Sequence, residues 1–352
     1  MRLAGGPGGE PTIVSIVGVV LFPFISTEDA ARGLRLTCRE LKQAVTDFPW
    51  EDMRTVIHGN IALWRACFPR ARGANVGQRI GDEEYHNPNG RRAPVVDADF
   101  VHFVGLRALN MTRCRQVTDA AFVHLRGIQE LDMSYCNQNS ITDAAFEHLK
   151  GIQKLDMSYC SQNTITDAAF VHLRGIKELE MSYCYQATIT DAAFEHLKGI
   201  QELDMSWCKQ ATITDAAFEH LKGIQKLNMS YCNQATITDA AFEHLKGIQK
   251  LNMSFCYQAT ITDAAFVHLK GIQKLSMSCC SQDTITDAAF EHLKGIEKLN
   301  MRFCRQDTIT DAAFQHLKGI KGLFMYGCRA VCKQAARDAG LPVSEGDVNG
   351  FE

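Results

Sequence analysis

The sequence predicts an α/β solenoid, and three observations lead there. A unit of the form TDAAF-x-HL-[KR]-G-I-x-x-L-x-M-S-[YFW]-C recurs from Asp97 to Cys328. Aspartates mark it at Asp119, Asp143, Asp167, Asp191, Asp215, Asp239, Asp263, Asp287 and Asp311, each 24 residues after the last, while Asp97 opens a divergent copy 22 residues ahead. Inside every unit a stretch alternating with period two precedes a stretch with helical spacing. A unit this short cannot bury its own apolar face, so copies must stack and share a core.

Residues 128–152 show how each element arises. Leu131 and Met133 alternate with Glu130, Asp132 and Ser134, which reads as a short strand buried on one face. Cys136 turns the chain inward and Ile141 re-enters the core. Thr142 suits a helix N-cap, and Asp143 sets negative charge at the positive end of the helix that follows. Ala145, Phe146 and Leu149 give that helix its apolar face. Gly151 ends it, as the position after a helix prefers, and Ile152 begins the next copy. Strands of successive copies should pair in parallel about 4.8 Å apart. Helices are wider than strands, which would put the strands on a concave side.

The pattern I-x-x-L-x-M-x-x-C-x(4)-I-T-D-x-x-F-x-x-L resembles the cysteine-containing leucine-rich repeat, with Met and Phe as size-preserving departures. The resemblance implies a leucine-rich repeat horseshoe with parallel strands on the concave face. Ten copies would occupy 96–328. Residues 51–95 would link and cap the solenoid at its start, with Ala71-x-x-Ala74-x-Val76 at the spacing of a degenerate first strand. At the other end Ala330–Ala339 reads as a closing helix within 329–352, with a loose tail from Pro342. The glycine-rich residues 1–10 read as disordered.

Residues 11–50 differ in composition. Ser26 or Thr27 can cap a helix that starts at Glu28-Asp29, and Ala30, Leu34, Leu41 and Val45 supply apolar faces before Trp50. The order of apolar helix, S-x-E-D cap, R-L-T-C-R-E-L-K and closing Trp is similar to the F-box, a small all-α module. That resemblance implies a Skp-type adaptor and, through it, a cullin–RING ubiquitin ligase, with adaptor contact at Leu21, Phe24, Ile25, Leu34, Leu36, Leu41 and Trp50. The chain would then be a substrate-recognition subunit of an SCF-type ligase. The alternative is a repeat scaffold whose N-terminal helices only cap the core. Near-identical arrays behind an F-box also resemble products of repeat expansion in large DNA viruses.

Strand alternation tells which side chains project from the concave face. The position before each strand leucine holds Glu130, Lys154, Glu178 and Glu202, then Lys226, Lys250, Lys274 and Lys298. The position after it holds Asp132, Asp156, Glu180 and Asp204, then Asn228, Asn252, Ser276 and Asn300. One half is acidic apart from Lys154; the other is basic, with Arg302 and Arg305 adding to it. Each half spans four strands, roughly 15–20 Å, against a Debye length of about 8 Å, so the two present separate fields. Before each cysteine stand Tyr135, Tyr159, Tyr183, Trp207, Tyr231, Phe255, Cys279 and Phe303. Such a row reads either as interface anchors or as rings stacked to seal the strand edge. Target binding is expected on these columns.

Composition removes other classes. The chain has 352 residues, 46% apolar and 22% charged, with net charge -3, which does not argue for nucleic-acid binding. Ten of fourteen cysteines sit at one repeat position (Cys114, Cys136, Cys160, Cys184, Cys208, Cys232, Cys256, Cys280, Cys304 and Cys328). Equivalent positions form a column of buried thiols, which points to a reducing compartment, cytoplasmic or nuclear. No CxxC pair suggests zinc. The apolar run Ile13–Ile25 is too short to span a membrane and contains Pro23, and Met1–Pro11 carries only Arg2, unlike a signal peptide. The histidine column from His124 to His316 lies on helices about 8–10 Å apart, too far for a shared metal, and reads as convex surface. No nucleophile–base pair and no phosphate loop appear, so neither catalysis nor a cofactor is expected.

Overall fold

Twenty-four residues leave room for a strand of three residues, a tight turn, a loop and a single helical turn, and each copy folds that way. The computed structural model describes residues 30, 39–57, 60–78 and 93–346. They belong to two units, Met1–Ile152 and Gln153–Glu352.

The first unit begins with helix α1 (Arg39–Asp47) and helix α2 (Ile61–Cys67). Between them Trp50 is 1% exposed. Its Nε1 donates to the Val45 carbonyl at 2.8 Å, and its ring meets Phe48 and Phe68 edge-on at 4.9 and 5.9 Å. Asn60 caps α2 by accepting from the Leu63 amide at 2.9 Å. Strand β1 (Gly73–Asn75) pairs in parallel with β2 (Ala108–Asn110), which pairs with β3 (Glu130–Asp132). Gly73 is required at the start of β1: a Cβ there would lie 2.7 Å from the Glu51 carbonyl carbon. Arg65 acts as a brace. Its guanidinium donates to the carbonyls of Ala71 at 2.9 Å and Val104 at 2.7 Å, and burial lowers its pKa.

The second unit carries β4 (Lys154–Asp156), β5 (Glu178–Glu180), β6 (Glu202–Asp204), β7 (Lys226–Asn228), β8 (Lys250–Asn252), β9 (Lys274–Ser276), β10 (Lys298–Asn300), β11 (Gly322–Phe324) and β12 (Val343–Ser344). They pair in sequence order, all parallel, leucine opposite leucine from β4 to β11, with Leu323 opposite Val343 of β12. A parallel sheet buries its strands under the crossover segments. Here the crossovers supply Phe170, Phe194, Phe218, Phe242, Phe266, Phe290 and Phe314, each 0% exposed, and the strands supply the Leu, Met and Cys columns. Full burial of each such side chain contributes roughly 1.5–3 kcal/mol.

Each expected helix is shorter than its spacing suggested. In the first unit Asp143–Phe146 is one α-turn, and Glu147–Leu149 tightens into a 3-10 turn before Gly151. A 3-10 turn advances about 2.0 Å per residue against about 1.5 Å for an α-helix, so it returns the chain to the sheet in fewer residues. The aspartate column does more than charge a helix end. Asp215 Oδ1 accepts the Thr238 amide and Oδ2 accepts the Thr238 hydroxyl, both at 2.7 Å, and Thr238 Oγ1 accepts the Ala240 amide at 3.2 Å. Each copy therefore positions the N-cap of the next. Buried glutamines add a second tie: Gln234 Nε2 donates to the Cys208 carbonyl at 3.2 Å.

The C-terminal helix runs Ala330–Asp338, with Cys332 and Ala336 buried. The tail expected to be loose from Pro342 is ordered through Gly346. The outer edge of β11 offers unpaired amides, and β12 takes them: Met325 N donates to Ser344 O at 3.0 Å. Glu345 then pairs with Lys333 at 2.7 Å and with Arg337.

Candidate binding face

Two columns flank the strand leucines, and their backbone is held by one repeated clamp. Oδ1 of the residue after the leucine accepts the amide two residues on. Asp156 and Asp204 do so at 2.8 Å, Asn228 at 3.1 Å, Asn252 at 3.0 Å and Asn300 at 3.2 Å. Aspartate and asparagine satisfy the clamp alike. What differs is the outer atom, a carboxylate oxygen in one case and an amide donor in the other. Between β6 and β7 that atom changes sign, and Asn228 Nδ2 donates to Asp204 Oδ2 at 2.8 Å across the change. Ser276 departs from the clamp and takes a hydrogen bond from Asn300 Nδ2 at 2.9 Å.

The column before the leucine changes at the same place. Glu202 and Lys226 are opposed in register and form an ion pair. Lys154 likewise pairs with Glu178 at 3.2 Å. Beyond the change, Lys226, Lys250, Lys274 and Lys298 stand opposite one another on adjacent strands. Burial lowers the Lys274 ammonium pKa, and repulsion from Lys250 and Lys298 lowers it further. Glu178, Glu180, Glu202 and Asp204 at one end and Lys226, Lys250 and Lys274 at the other line one open depression of about 380 Å³, with Leu179, Leu203, Leu227 and Leu251 between them.

The aromatic column forms a ladder. Tyr159, Tyr183, Trp207, Tyr231 and Phe255 stack face to face with centroids 4.2, 4.9, 3.9 and 4.0 Å apart. Each half-buried ring sits on a backbone with φ of 59–62°. That left-handed conformation normally asks for glycine or asparagine. Stacking offsets its cost, as does an amide bond onto the next copy such as Trp207 N to Ser230 O at 2.9 Å. Lys209 lies over Trp207 at 4.2 Å, and Tyr185 projects beside it, 57% exposed. Cys279 interrupts the ladder; Phe303 resumes the column, edge-on to Tyr326 at 5.4 Å, with Arg302 over Tyr326 at 5.2 Å.

The structure thus brings Asp156, Tyr159, Glu178, Glu180, Tyr183, Glu202, Asp204, Trp207, Lys226, Tyr231, Lys250, Phe255, Lys274, Lys298, Arg302 and Phe303 onto the strand face of the second unit or its margin. Glu130, Asp132 and Tyr135 occupy the equivalent positions in the first unit, where Asn110 Nδ2 donates to Asp132 Oδ2 at 2.7 Å and Arg113 lies 4.2 Å over Tyr135. Of the adaptor residues, Leu41 is half-buried on α1 and Trp50 is core; Leu21, Phe24, Ile25, Leu34 and Leu36 lie outside the described residues. Sequence reasoning missed the positive φ of the ladder. It also missed the glutamine tie, although Gln two residues after each column cysteine from Cys114 to Cys304 was a visible signal.

The column thiols are buried, and burial pushes Cys184 and Cys232 up to about 12. Histidines such as His196 serve the repeat packing: Arg174 Nε donates to its Nδ1 at 3.3 Å, and burial and then Arg174 lower its pKa. Among the described residues no group of His, Cys, Asp or Glu could hold a metal ion, and no helix is long and apolar enough to cross a membrane.

Parallel three-residue strands, one-turn crossovers and an inward leucine column define a leucine-rich-repeat solenoid with a polar, patterned strand face. Sequence comparison agrees: residues 100–206 and 187–321 match the BspA type leucine rich repeat region, in six copies, and the chain belongs to that family. No curated protein matches it in sequence. Among solved structures it is similar to the Drosophila Toll–Spatzle complex (TM-score 0.56, 14% identity, 79% of this chain and 38% of that one). It is also similar to the TLR13–ssRNA13 complex (0.56, 18%, 74% and 40%) and to mouse RP105/MD-1 (0.52, 17%, 79% and 55%). At such identities the likeness is one of fold, and the chain spans about half or less of the first two structures' length.

Proposed function

We propose that this chain is a non-catalytic receptor whose strand face holds a target protein, and whose N-terminal segment couples it to a Skp-type adaptor of a cullin-based ubiquitin ligase. One observation carries the receptor reading. The clamp accepts Asp and Asn equally, yet the residues flanking the leucine change sign together between β6 and β7. Folding does not require that change, so a partner is its natural cause. The adaptor reading is supported by the F-box-like order of residues 11–50 ahead of the repeats. A cytoplasmic or nuclear setting follows from the free thiols, which suit a reducing compartment.

Proximity labelling in cells with the full chain tests both parts. Wild type should label an adaptor and a target. Replacing Leu34 and Leu41 by Ala should remove the adaptor and keep the target. Replacing Trp207 by Ala and Glu202 by Lys should do the reverse. Unchanged adaptor labelling in the first variant contradicts the ligase link; unchanged target labelling in the second contradicts the binding face.

A further inference from the structure

The flip between β6 and β7 occurs at two columns at once, and the geometry of each separates it from folding. In the clamp column the structural atom is Oδ1, which Asp204 and Asn228 both offer to the amide two residues on; only the outward atom turns from acceptor to donor. In the other column Glu202 gives way to Lys226, and three further strands repeat lysine at that register. Lysines opposed on neighbouring parallel strands stand about 4.8 Å apart, an arrangement that repels by itself. Its recurrence from β7 to β10 gathers positive charge at one end of the face, and an anionic partner would be favoured there.

Which partner is decided by the other end of the same depression. Glu178, Glu180 and Asp204 line it beside the lysines. A nucleic acid carries uniform negative charge and would be repelled there. A polypeptide can change sign along its length. From β5 to β10 the face measures roughly 24 Å at the parallel-strand spacing, about seven residues of extended chain.

Resting on the receptor reading above, we propose that the depression of the second unit binds an extended, bipolar protein segment laid across the strands. Its run of carboxylates lies on Lys250 and Lys274 and reaches Lys298 on the next strand, and its basic end lies on Glu178, Glu180 and Asp204.

Fluorescence anisotropy with the full chain tests this using a labelled peptide in which a run of glutamates is joined by a short glycine linker to a pair of lysines, in both chain directions. A scrambled peptide of the same composition and a poly-thymidine oligonucleotide of equal negative charge serve as competitors. One direction of the bipolar peptide should bind at least about tenfold tighter than either competitor and weaken as salt rises. Lys250→Glu with Lys274→Glu should lower that affinity at least about tenfold and create binding for an all-lysine peptide of the same length, while circular dichroism shows an unchanged unfolding midpoint. An oligonucleotide that binds as tightly, a scrambled peptide that binds as tightly, or an affinity untouched by the double variant would each overturn the proposal. If the peptides fail while Trp207→Ala with Glu202→Lys still strips the target in cells, the bipolar chemistry is wrong and the binding face stands. If that variant keeps its target, the receptor reading itself is wrong.

Discussion

Inside the second unit the buried columns repeat almost without change, whereas the columns on the strand face do not. Phenylalanine stands at Phe170, Phe194, Phe218, Phe242, Phe266, Phe290 and Phe314, and cysteine stands at Cys160, Cys184, Cys208, Cys232, Cys256, Cys280, Cys304 and Cys328. One residue from the strand leucine, the same copies carry Glu178 and Glu202 and then Lys226, Lys250, Lys274 and Lys298. Copies that arise by duplication start identical. The buried columns stay so because a stack of equal layers leaves no slack for a different volume. The exposed columns are free of that constraint, and they are also where charge is organised instead of scattered. Conserved volume and patterned charge thus mark two separate demands, one from folding and one from a partner.

The sharpest way to break the comparison is at its buried side. Phe218→Ala should cost about 3–5 kcal/mol in urea unfolding, since the site is fully buried and its neighbours are fixed by adjoining layers. A loss below about 1 kcal/mol would show that the layers are loose. Asp215→Ala removes both acceptors from Thr238 and should cost about 1–3 kcal/mol, with Asp215→Asn costing less because one acceptor survives. Trp207→Ala, on the border between the two regions, should lose about 0.5–1.5 kcal/mol for each of its two stacked neighbours. Trp207→Asn should lose less, because asparagine tolerates the left-handed backbone.

Adjacent cysteines sharpen the contrast at no cost to stability. Cys279 stands in the aromatic column and is half-buried; Cys280 stands in the core column, fully buried, where desolvation raises its pKa well above the ordinary thiol value. A thiol-reactive probe at pH 8, read by peptide mass spectrometry, should label Cys279 at least about tenfold faster than Cys280, and denaturant should abolish the difference. Raised values mean that Cys184 and Cys232 stay protonated until the pH nears 12, so alkaline labelling below that point should still spare them.

Much of this was legible in the sequence because a repeat multiplies each weak signal. The strand at Leu131, the N-cap at Thr142, the turn glycine at Gly151 and the buried thiols followed from spacing and chemistry. The acid-to-base change on the strand face was readable for the same reason, once alternation fixed which side each residue takes. Three things were not. The positive φ of Tyr231 and its equivalents contradicts local propensity and exists because rings and amides of neighbouring copies support it. Arg65 reads as solvent-facing until tertiary contact brings the Ala71 and Val104 carbonyls to it. Strand β12 has no repeat behind it, and only the open edge of β11 explains its two residues.

The central claim is that the strand-face pattern serves recognition and not folding. Glu202→Lys with Asp204→Asn gives β6 the residues of β7 and leaves the Oδ1 clamp in place. Urea unfolding of that variant is the direct test. The loss should stay within about 1 kcal/mol, the range of an exposed ion pair, while target labelling disappears. A loss comparable to that of Phe218→Ala would contradict the claim, since the charge pattern would then belong to the fold.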